Sequence, residues 1–424
     1  MKRAVWIIVI GQLFGVSLWF SANAAAVDLE RAWGMTAAQL GLLTNAVQIG
    51  FIAGTLGFAL TGLADRFSAS RIVFVCSVLG AASNAGFALF AGDLARAWAY
   101  RFAVGLSLAG IYPVGMKLIV SWVADKAGAA LGLLIGMFTL GTALPHGLRA
   151  LGAGLAWQHV VLASSLLALV GGIAVLAVGD GPHLRPAGRS SPGLGSVLGV
   201  FRLPRFRASA LAYFGHMWEL YAFWTVVPLL AARAMSGASD TAVSVLAFAI
   251  IAVGGIGCAL GGRLSQHIGS ARVAAIALTG SAAMCAVYPA LGAAPHWLSI
   301  VALLLWGVAV STDSPQFSAL SAANCPPEKV GSALAIQNAI GFAISVAGIS
   351  VATGSIAHIG ANVAWLLLPG PLLGLLALRP LLRRVPIRGA TPAASARSAA
   401  VQHVPRNLRL TPGERPDHQE GDER

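Results

Sequence analysis

The sequence predicts an all-α polytopic membrane protein with twelve transmembrane helices. Of its 424 residues, 57% are hydrophobic and only 10% are charged, and the mean hydropathy is +0.78. Apolar runs of about 20 residues, the length that crosses a bilayer, recur along the whole chain. A soluble domain carries roughly 25% charged residues, and its surface must face water. The composition therefore argues against a soluble enzyme, a DNA-binding protein and a disordered chain.

The apolar runs fall into two sets of six, separated by short connectors rich in Gly, Pro and charge. The first run follows a basic start, as a signal peptide does, but it is too long for one and further runs follow, so we interpret it as a span. The predicted spans of the first set are 5–27, 37–61, 72–92, 97–120, 128–150 and 158–178. Those of the second set are 208–232, 241–261, 273–292, 297–322, 331–355 and 362–378.

A long polar connector divides the chain into four predicted regions. Residues 1–178 form an amino-terminal six-helix bundle, and 208–378 form a carboxyl-terminal one. Residues 179–207, with five arginines, form the central loop between them. Residues 379–424 are rich in Arg, Pro, Ala and Ser without an apolar period, which predicts a disordered tail.

The formal net charge of +13 is unevenly distributed along the chain. With the amino terminus inside and the spans alternating, the outside loops keep only Arg31, Arg96 and Arg233. This asymmetry follows the positive-inside rule and predicts a protein of the cell (inner) membrane with both termini cytoplasmic. The excess charge is thus interpreted as a topology signal rather than as a nucleic-acid surface, although the tail could contact anionic lipid.

The two sets of spans contain an internal repeat at an offset of about 201 residues. Leu63 and Leu264 follow the second and eighth spans, and each is followed eight residues later by an arginine, Arg71 or Arg272. The runs Gly128-Ala129-Ala130-Leu131 and Gly331-Ser332-Ala333-Leu334 open spans five and eleven, and Pro113 and Pro315 interrupt spans four and ten. Three correspondences at nearly one offset indicate a duplication.

The residues after span two carry a resemblance to a known family. The run Leu63-Ala64-Asp65-Arg66, with Arg71, resembles the loop signature of the major facilitator superfamily, although Thr61 and Ser68 stand where that family usually has glycine. The Arg101-x-x-x-Gly105-x-x-x-Ala109 run of span four resembles a second signature, known from proton-coupled exporters. In span five Gly132, Gly136, Gly141 and Pro145 give a loose version of the antiporter signature, without its Gly-Pro pair.

The resemblance covers residues 1–380 and implies two six-helix bundles, a cavity between them and transport by alternating access. In that family spans one, four, seven and ten line the cavity. The resemblance also predicts a gating loop in which Asp65 forms a latch with Arg66, Arg71 or a helix N-terminus. The alternative is that these are ordinary solvated loop charges.

Ionisable residues within apolar spans are costly and therefore mark candidate functional sites. We predict proton coupling at Glu219, Asp313 and Arg101. The alternative for Glu219 is a Glu–His pair that ties two helices together, and for Asp313 it is a buried ion pair or a local cap. For Arg101 the alternative is extension to the membrane interface. Lys117 and Arg149 are assigned to the interfaces in the same way, although Arg149 would also suit an anionic solute.

Polar and aromatic residues on the same spans are predicted to bind the substrate, with hydrogen bonding between helices as the alternative. His216 lies three residues before Glu219 and hence on the same helix face. These two offer too few ligands for a metal, and the four cysteines lack metal-ligand spacing. The predicted substrate-binding residues are Gln12, Trp19, Asn23, His216, Tyr221, Trp224, Gln337 and Asn338.

These features predict a monomeric, proton-coupled secondary transporter of a small solute, with no cofactor and no metal. Its cargo would be an amphipathic compound for efflux or an organic or inorganic anion. The chain lacks the phosphate-binding run of an ATP-driven pump and the common hydrolase motifs, which argues against an enzyme. The alternatives are a polytopic membrane enzyme and a membrane sensor that transports nothing. The expected partners of the predicted transporter are the solute, protons and lipid, and not nucleic acid.

Overall fold

The chain folds into long α-helices joined by short connections. The computed structural model describes residues 3–123, 127–152, 154–183, 198–326 and 329–382. The helices of the first half are α1 Arg3–Val16, α2 Ser21–Ala24, α3 Ala26–Trp33, α4 Ala37–Thr61, α5 Leu63–Arg66, α6 Ala69–Phe90, α7 Leu94–Trp122, α8 Ala127–Leu151 and α9 Trp157–Val178. Those of the second half are α10 Pro204–Ala234, α11 Asp240–Ile268, α12 Ser270–Val287, α13 His296–Thr312, α14 Ser314–Ala323, α15 Val330–Ile359, α16 Val363–Leu367 and α17 Pro369–Leu382.

The predicted all-helical polytopic membrane fold is confirmed. Within the described residues, eight helical segments are long and apolar enough to cross a membrane, the last of them running from Val330 to Leu382 over two predicted spans. Each of the other predicted spans also coincides with helix, including the 31-residue α10. The predicted tail and the middle of the central loop lie outside the described residues.

Several predicted spans are interrupted rather than continuous, and the breaks in spans one and ten bear on the candidate sites. Span one breaks at residues 17–20, between α1 and α2. Span ten breaks at Asp313, between α13 and α14, with Pro315 in the first turn of the new helix. Proline is tolerated in the first turn because the backbone N–H that it lacks would have no partner within the helix at that position. Both breaks leave backbone groups inside the bundle that other residues must satisfy.

Local sequence signals set the ends of several helices. Thr36 and Gln39 form a reciprocal capping box at the start of α4. Asp93 caps α7 and Ser239 caps α11, each accepting a hydrogen bond from a backbone N–H in the first turn. Gly62 ends α4 in the left-handed conformation, at φ +64°, which other residues adopt only at a cost.

Packing repeats between the two halves. In the first half α4 packs on α7, and α6 packs on α7 and α9; in the second half α11 packs on α13, and α12 packs on α13 and α17. A methyl group at Gly105 of α7 would overlap the carbonyl oxygen of Val47 in α4. A methyl group at Gly307 of α13 would overlap that of Ile250 in α11. The same close approach of two backbones thus recurs 202 to 203 residues later, as the internal repeat predicts.

The halves meet along two helix pairs, α8 with α11 and α4 with α15. Asn45 of α4 donates a 2.8 Å hydrogen bond to Ser350 of α15. Arg31 of α3 contacts Asp240 of α11 at 2.7 Å. Below, the Arg31 end denotes the end of the bundle formed by residues 24–36, 149–152, 154–156 and 234–240. The Arg66 end denotes the opposite one, formed by residues 61–69 and 262–270.

Candidate functional site

Seven aromatic residues from both halves form one buried cluster at the centre of the bundle. Trp19 stacks on Tyr221, with ring centroids 5.7 Å apart, and on Phe342 at 5.8 Å. Phe20 meets Trp224 edge-on at 5.9 Å. We call these residues the aromatic cluster: Trp19, Phe20, Phe51, Phe138, Tyr221, Trp224 and Phe342.

The break in span one explains the position of Trp19 and Phe20. Both fall in or beside the turn at residues 17–20, so their rings project towards the second half rather than towards the surface. Phe51 and Phe138 complete the first-half side of the cluster, at 4.9 Å and 5.6 Å from the Trp19 ring. Because the rings come from α4, α8, α10 and α15 as well, separation of the halves must change these contacts.

Buried polar atoms without a hydrogen-bond partner among the described residues accompany the cluster. They include Nε1 of Trp19 and Trp224, both amide atoms of Gln48 and of Gln12, and Oε1 of Gln337. Leaving such groups unpaired costs free energy, so each requires an explanation. A solute with polar atoms at the edge of a flat ring would satisfy them. The predicted residue Asn338 is partly exposed, on the helix face next to Gln337.

Arg101 binds the break in span one and not an acid. Its guanidinium, which is fully buried, donates to the carbonyl oxygens of Leu18 at 3.0 Å and of Trp19, and to Oδ1 of Asn84 at 2.8 Å. Ser21 accepts a further bond from Arg101 at 3.0 Å. The side chain thus satisfies carbonyls that the broken helix leaves free, and it fixes the backbone that carries Trp19.

Glu219 ties three helices of the second half together. Its Oε1 accepts hydrogen bonds from Nε1 of Trp306 at 2.6 Å, from Sγ of Cys285 at 3.3 Å and from Oγ of Ser281. The donors lie on α12 and α13. The carboxylate is 1% exposed and thus lies within the second half.

His216 pairs with Asp313 across the break in span ten. Nδ1 of the histidine lies 2.9 Å from Oδ1 of the aspartate, at an ion-pair distance but too bent for a hydrogen bond. Nε2 of the ring is 2.9 Å from the Ser314 hydroxyl. Sequence spacing puts His216 beside Glu219 on α10, but in the structure the two side chains contact different partners.

The predicted gating loop contains the short helix α5, which ends at Arg66. The side chain of Asp65 lies outside what the structure describes, so the latch stays a prediction. Lys117 donates a 2.7 Å bond to the Ala64 carbonyl, which connects α7 to this loop. At Arg71 the backbone N–H is held by the Ser68 side chain, which caps α6.

Several residues that organise these sites were not found by sequence reasoning. Asn84 bridges Arg101, Ser21 and Ser165, and Trp306 and Ser281 hold Glu219. A buried Asn in an apolar run was the available signal for Asn84, since amides inside the membrane need partners. For Trp306 and Ser281 no local pattern points to Glu219, because the contacts join residues 62 or more positions apart.

Comparisons with known proteins agree with this architecture. The family model for the Major Facilitator Superfamily matches residues 6–260 and 209–412. The niacin transporter NiaP of Acinetobacter baylyi is 32% identical over 139 residues, which are 32% of this chain and 31% of that protein. The chain therefore matches only about a third of the length of that relative.

Two solved structures share the fold at 15% identity. The D-xylose-proton symporter superposes with a TM-score of 0.73, over 90% of this chain and 97% of that one. The second is a bacterial homologue of the human lysosomal transporter Spinster, solved in an inward-facing and unoccupied conformation. It superposes with a TM-score of 0.64, over 90% of this chain and 96% of that one.

Proposed function

The chain belongs to the major facilitator superfamily, and we propose that it moves a small planar aromatic acid across the cell membrane by proton-coupled alternating access. Membership makes the protein a non-enzymatic secondary transporter of a small molecule, embedded in a membrane through many helical spans. The solute class, the coupling ion, the compartment and the cytoplasmic placement of both termini belong to the proposal.

The aromatic cluster is the observation that carries the solute class. Ring pairs such as Trp19–Tyr221 contribute about 0.5–1.5 kcal/mol each beyond their burial, and pairs that join the halves are lost when the halves separate. A flat aromatic solute restores stacking to the exposed rings. It therefore interacts differently with the open and closed states, which is what a carrier requires of its cargo.

The polar atoms around the cluster favour a solute with a polar group on its ring. The unpartnered indole N–H groups of Trp19 and Trp224 can only donate, and they suit a carboxylate or a ring nitrogen. A relative matched over about a third of its length is a niacin transporter, and niacin is a pyridine ring with one carboxylate. That chemistry fits the donors of this cluster and supports the proposed solute class.

The His216–Asp313 pair is the proposed proton site. Asp313 is the N-cap residue of α14, at the break in span ten. Its partner His216 lies on α10, the same helix as Tyr221 and Trp224. Protonation of Asp313 changes its contact with the His216 imidazole, so a shift of α10 against α14 would follow the proton. Glu219 accepts three hydrogen bonds, and Arg101 donates to four oxygens although its Nε has no partner among the described residues. These contacts favour a structural role for both residues over proton transfer.

Uptake by proteoliposomes tests the proposal. We expect radiolabelled nicotinate or benzoate to accumulate when a pH gradient is imposed, and D-xylose not to accumulate. Tyr221→Ala should raise the KM for the aromatic acid at least tenfold. Trp297→Ala, which changes a tryptophan that is 61% exposed, is the matched control and should leave the KM unchanged. Absence of flux for every aromatic acid tried, with or without the gradient, would overturn the proposed solute class.

A further inference from the structure

A cavity of about 170 Å³ lies between the halves at the Arg31 end. Its charged lining comes from Asp28 and Arg31 of α3, Arg149 of α8 and Asp240 of α11. Asn23 and His146 also line it. The cavity lies next to the aromatic cluster. Two of its lining residues, Asn23 and Pro228, are each four positions after a tryptophan of the cluster, Trp19 and Trp224 respectively.

Two ion pairs cross this cavity, and opening of the Arg31 end affects them differently. Arg149 binds Asp28 through Nε and Nη2, at 2.8 and 2.9 Å, and both residues belong to the first half. Arg31 binds Asp240 at 2.7 and 3.2 Å, and these residues belong to different halves. Opening of the Arg31 end must therefore break the second pair and can leave the first one intact.

The cavity also contains buried polar atoms that no described residue satisfies. His146 is 2% exposed and its Nε2 has no partner; Asn23 is 1% exposed and its Oδ1 has none. His146 lies three residues before Arg149 and thus on the same face of α8. A ligand in the cavity can reach the imidazole and the guanidinium together.

Asp28 has a second partner available when the halves separate. It lies three residues before Arg31 in α3, a spacing at which opposite charges pair on a helix. Asp240 raises the pKa of Arg31, mainly through their hydrogen bond, and Asp28 adds to the same effect through its charge, so the two residues of α3 already interact. Loss of Asp240 leaves Arg31 free to attract Asp28 away from Arg149.

We propose that Arg149 and His146 form a capture site for the carboxylate of the transported solute, which becomes available when Asp28 moves from Arg149 to Arg31. A carboxylate offers the two coplanar oxygens that a guanidinium binds best. It takes the place of Asp28 with a similar geometry, so Arg149 regains an anionic partner. The solute then lies one helical turn from the aromatic cluster. The aromatic part of the solute rests on the proposed function; the carboxylate site does not.

The first experiment uses acetate, a carboxylate without a ring, on the purified full-length protein. Thermal unfolding is followed against acetate at constant ionic strength, with acetamide as the neutral control. We expect Asp28→Asn, which frees Arg149, to lower the half-saturating acetate concentration at least fivefold. Adding Arg149→Gln to Asp28→Asn should remove the stabilisation. Equal stabilisation of the single and double variants by acetate would overturn the capture site.

The second experiment compares nicotinate with its neutral amide, nicotinamide. Arg149→Gln should weaken nicotinate binding at least tenfold and leave nicotinamide binding unchanged, whereas Arg149→Lys should give an intermediate loss and guards against a folding defect. Arg96→Gln, an exposed arginine at the same end of the bundle, is the matched control. Unchanged nicotinate binding by Arg149→Gln contradicts the capture site and leaves the proposed function standing. If nicotinate and benzoate do not bind the wild type while the acetate results hold, the aromatic solute is wrong and the carboxylate site stands.

Discussion

The two halves of the bundle bury charges of opposite sign and satisfy them in different ways. In the first half Arg101 is surrounded by carbonyl, hydroxyl and amide oxygens. In the second half Glu219 receives three donors on one oxygen, and Asp313 has a bent contact with His216. Depth in the membrane alone thus does not identify a proton carrier; the quality of the contacts separates structural charges from one that can change its state.

Under the proposed function, Arg101 belongs to the scaffold of the site rather than to the proton pathway. A buried cation that stays charged needs several oxygen partners, and backbone carbonyls supply them without a second titratable group. At Asp313 the partner is the imidazole of His216, a group that can both accept and donate a proton. The second half therefore contains a pair that can exchange a proton, and the first half contains a fixed anchor for Trp19.

Replacing Arg101 with Met should have the largest effect, because it removes the donor of the Trp19 carbonyl and leaves the Leu18 carbonyl and the Asn84 amide oxygen to share the single proton of the Ser21 hydroxyl. Each buried unsatisfied group costs about 1–3 kcal/mol, so we expect a loss of about 3 kcal/mol or more in thermal unfolding of the purified protein. Arg96→Met on the same helix, where the side chain is 70% exposed, is the matched control. A stable Arg101→Met protein with an unchanged melting temperature would contradict the anchoring role.

Asp313→Asn should abolish accumulation driven by a pH gradient while preserving exchange of labelled for unlabelled solute. The amide cannot release a proton, but it retains hydrogen-bonding atoms for His216 and Ser314. Measuring accumulation and exchange in the same proteoliposomes separates loss of coupling from loss of transport. Persistent gradient-driven accumulation by this variant would assign the proton to another group.

Glu219→Gln should change stability and proton coupling little, in contrast to the loss of coupling expected for Asp313→Asn. The amide oxygen still accepts from Trp306, Ser281 and Cys285, so we expect a stability change below about 1 kcal/mol and unaltered coupling. Glu219→Ala leaves the same donors unpaired and should cost about 2–3 kcal/mol. Loss of coupling in Glu219→Gln, at normal stability and exchange, would reverse the assignment of the two acids.

The sequence predicts the repeated architecture well because the signal is local and periodic. Span lengths follow from apolar runs, and the offset between Leu63 and Leu264 anticipates the matching contacts of Gly105 and Gly307. The break at residues 17–20 was missed, since no proline marks it. It is stabilised by Arg101, a residue about 80 positions away.

The sequence also does not predict which side chains contact one another within the bundle. Spacing on α10 correctly puts His216 and Glu219 on neighbouring positions of one face, yet α12 and α13 supply the partners of Glu219 while the start of α14 supplies those of His216. Which helix packs against which edge of that face depends on contacts between distant residues, so helical periodicity alone cannot decide it.

Asp240→Asn should have the smallest effect and tests the contact that joins the halves at the Arg31 end. The Arg31 and Asp240 side chains are 62% and 46% exposed, and exposed pairs contribute about 0.2–1 kcal/mol. The ratio of closed to open molecules should thus fall by at most about fivefold. Maleimide labelling of Ser244→Cys, which lines the cavity, reports opening at this end, with the native cysteines alone as background. In a double-mutant cycle with Arg31→Gln, the second substitution should add little to the first. Additive effects would mean that the pair does not hold this end closed, and opening would then be controlled by the aromatic cluster.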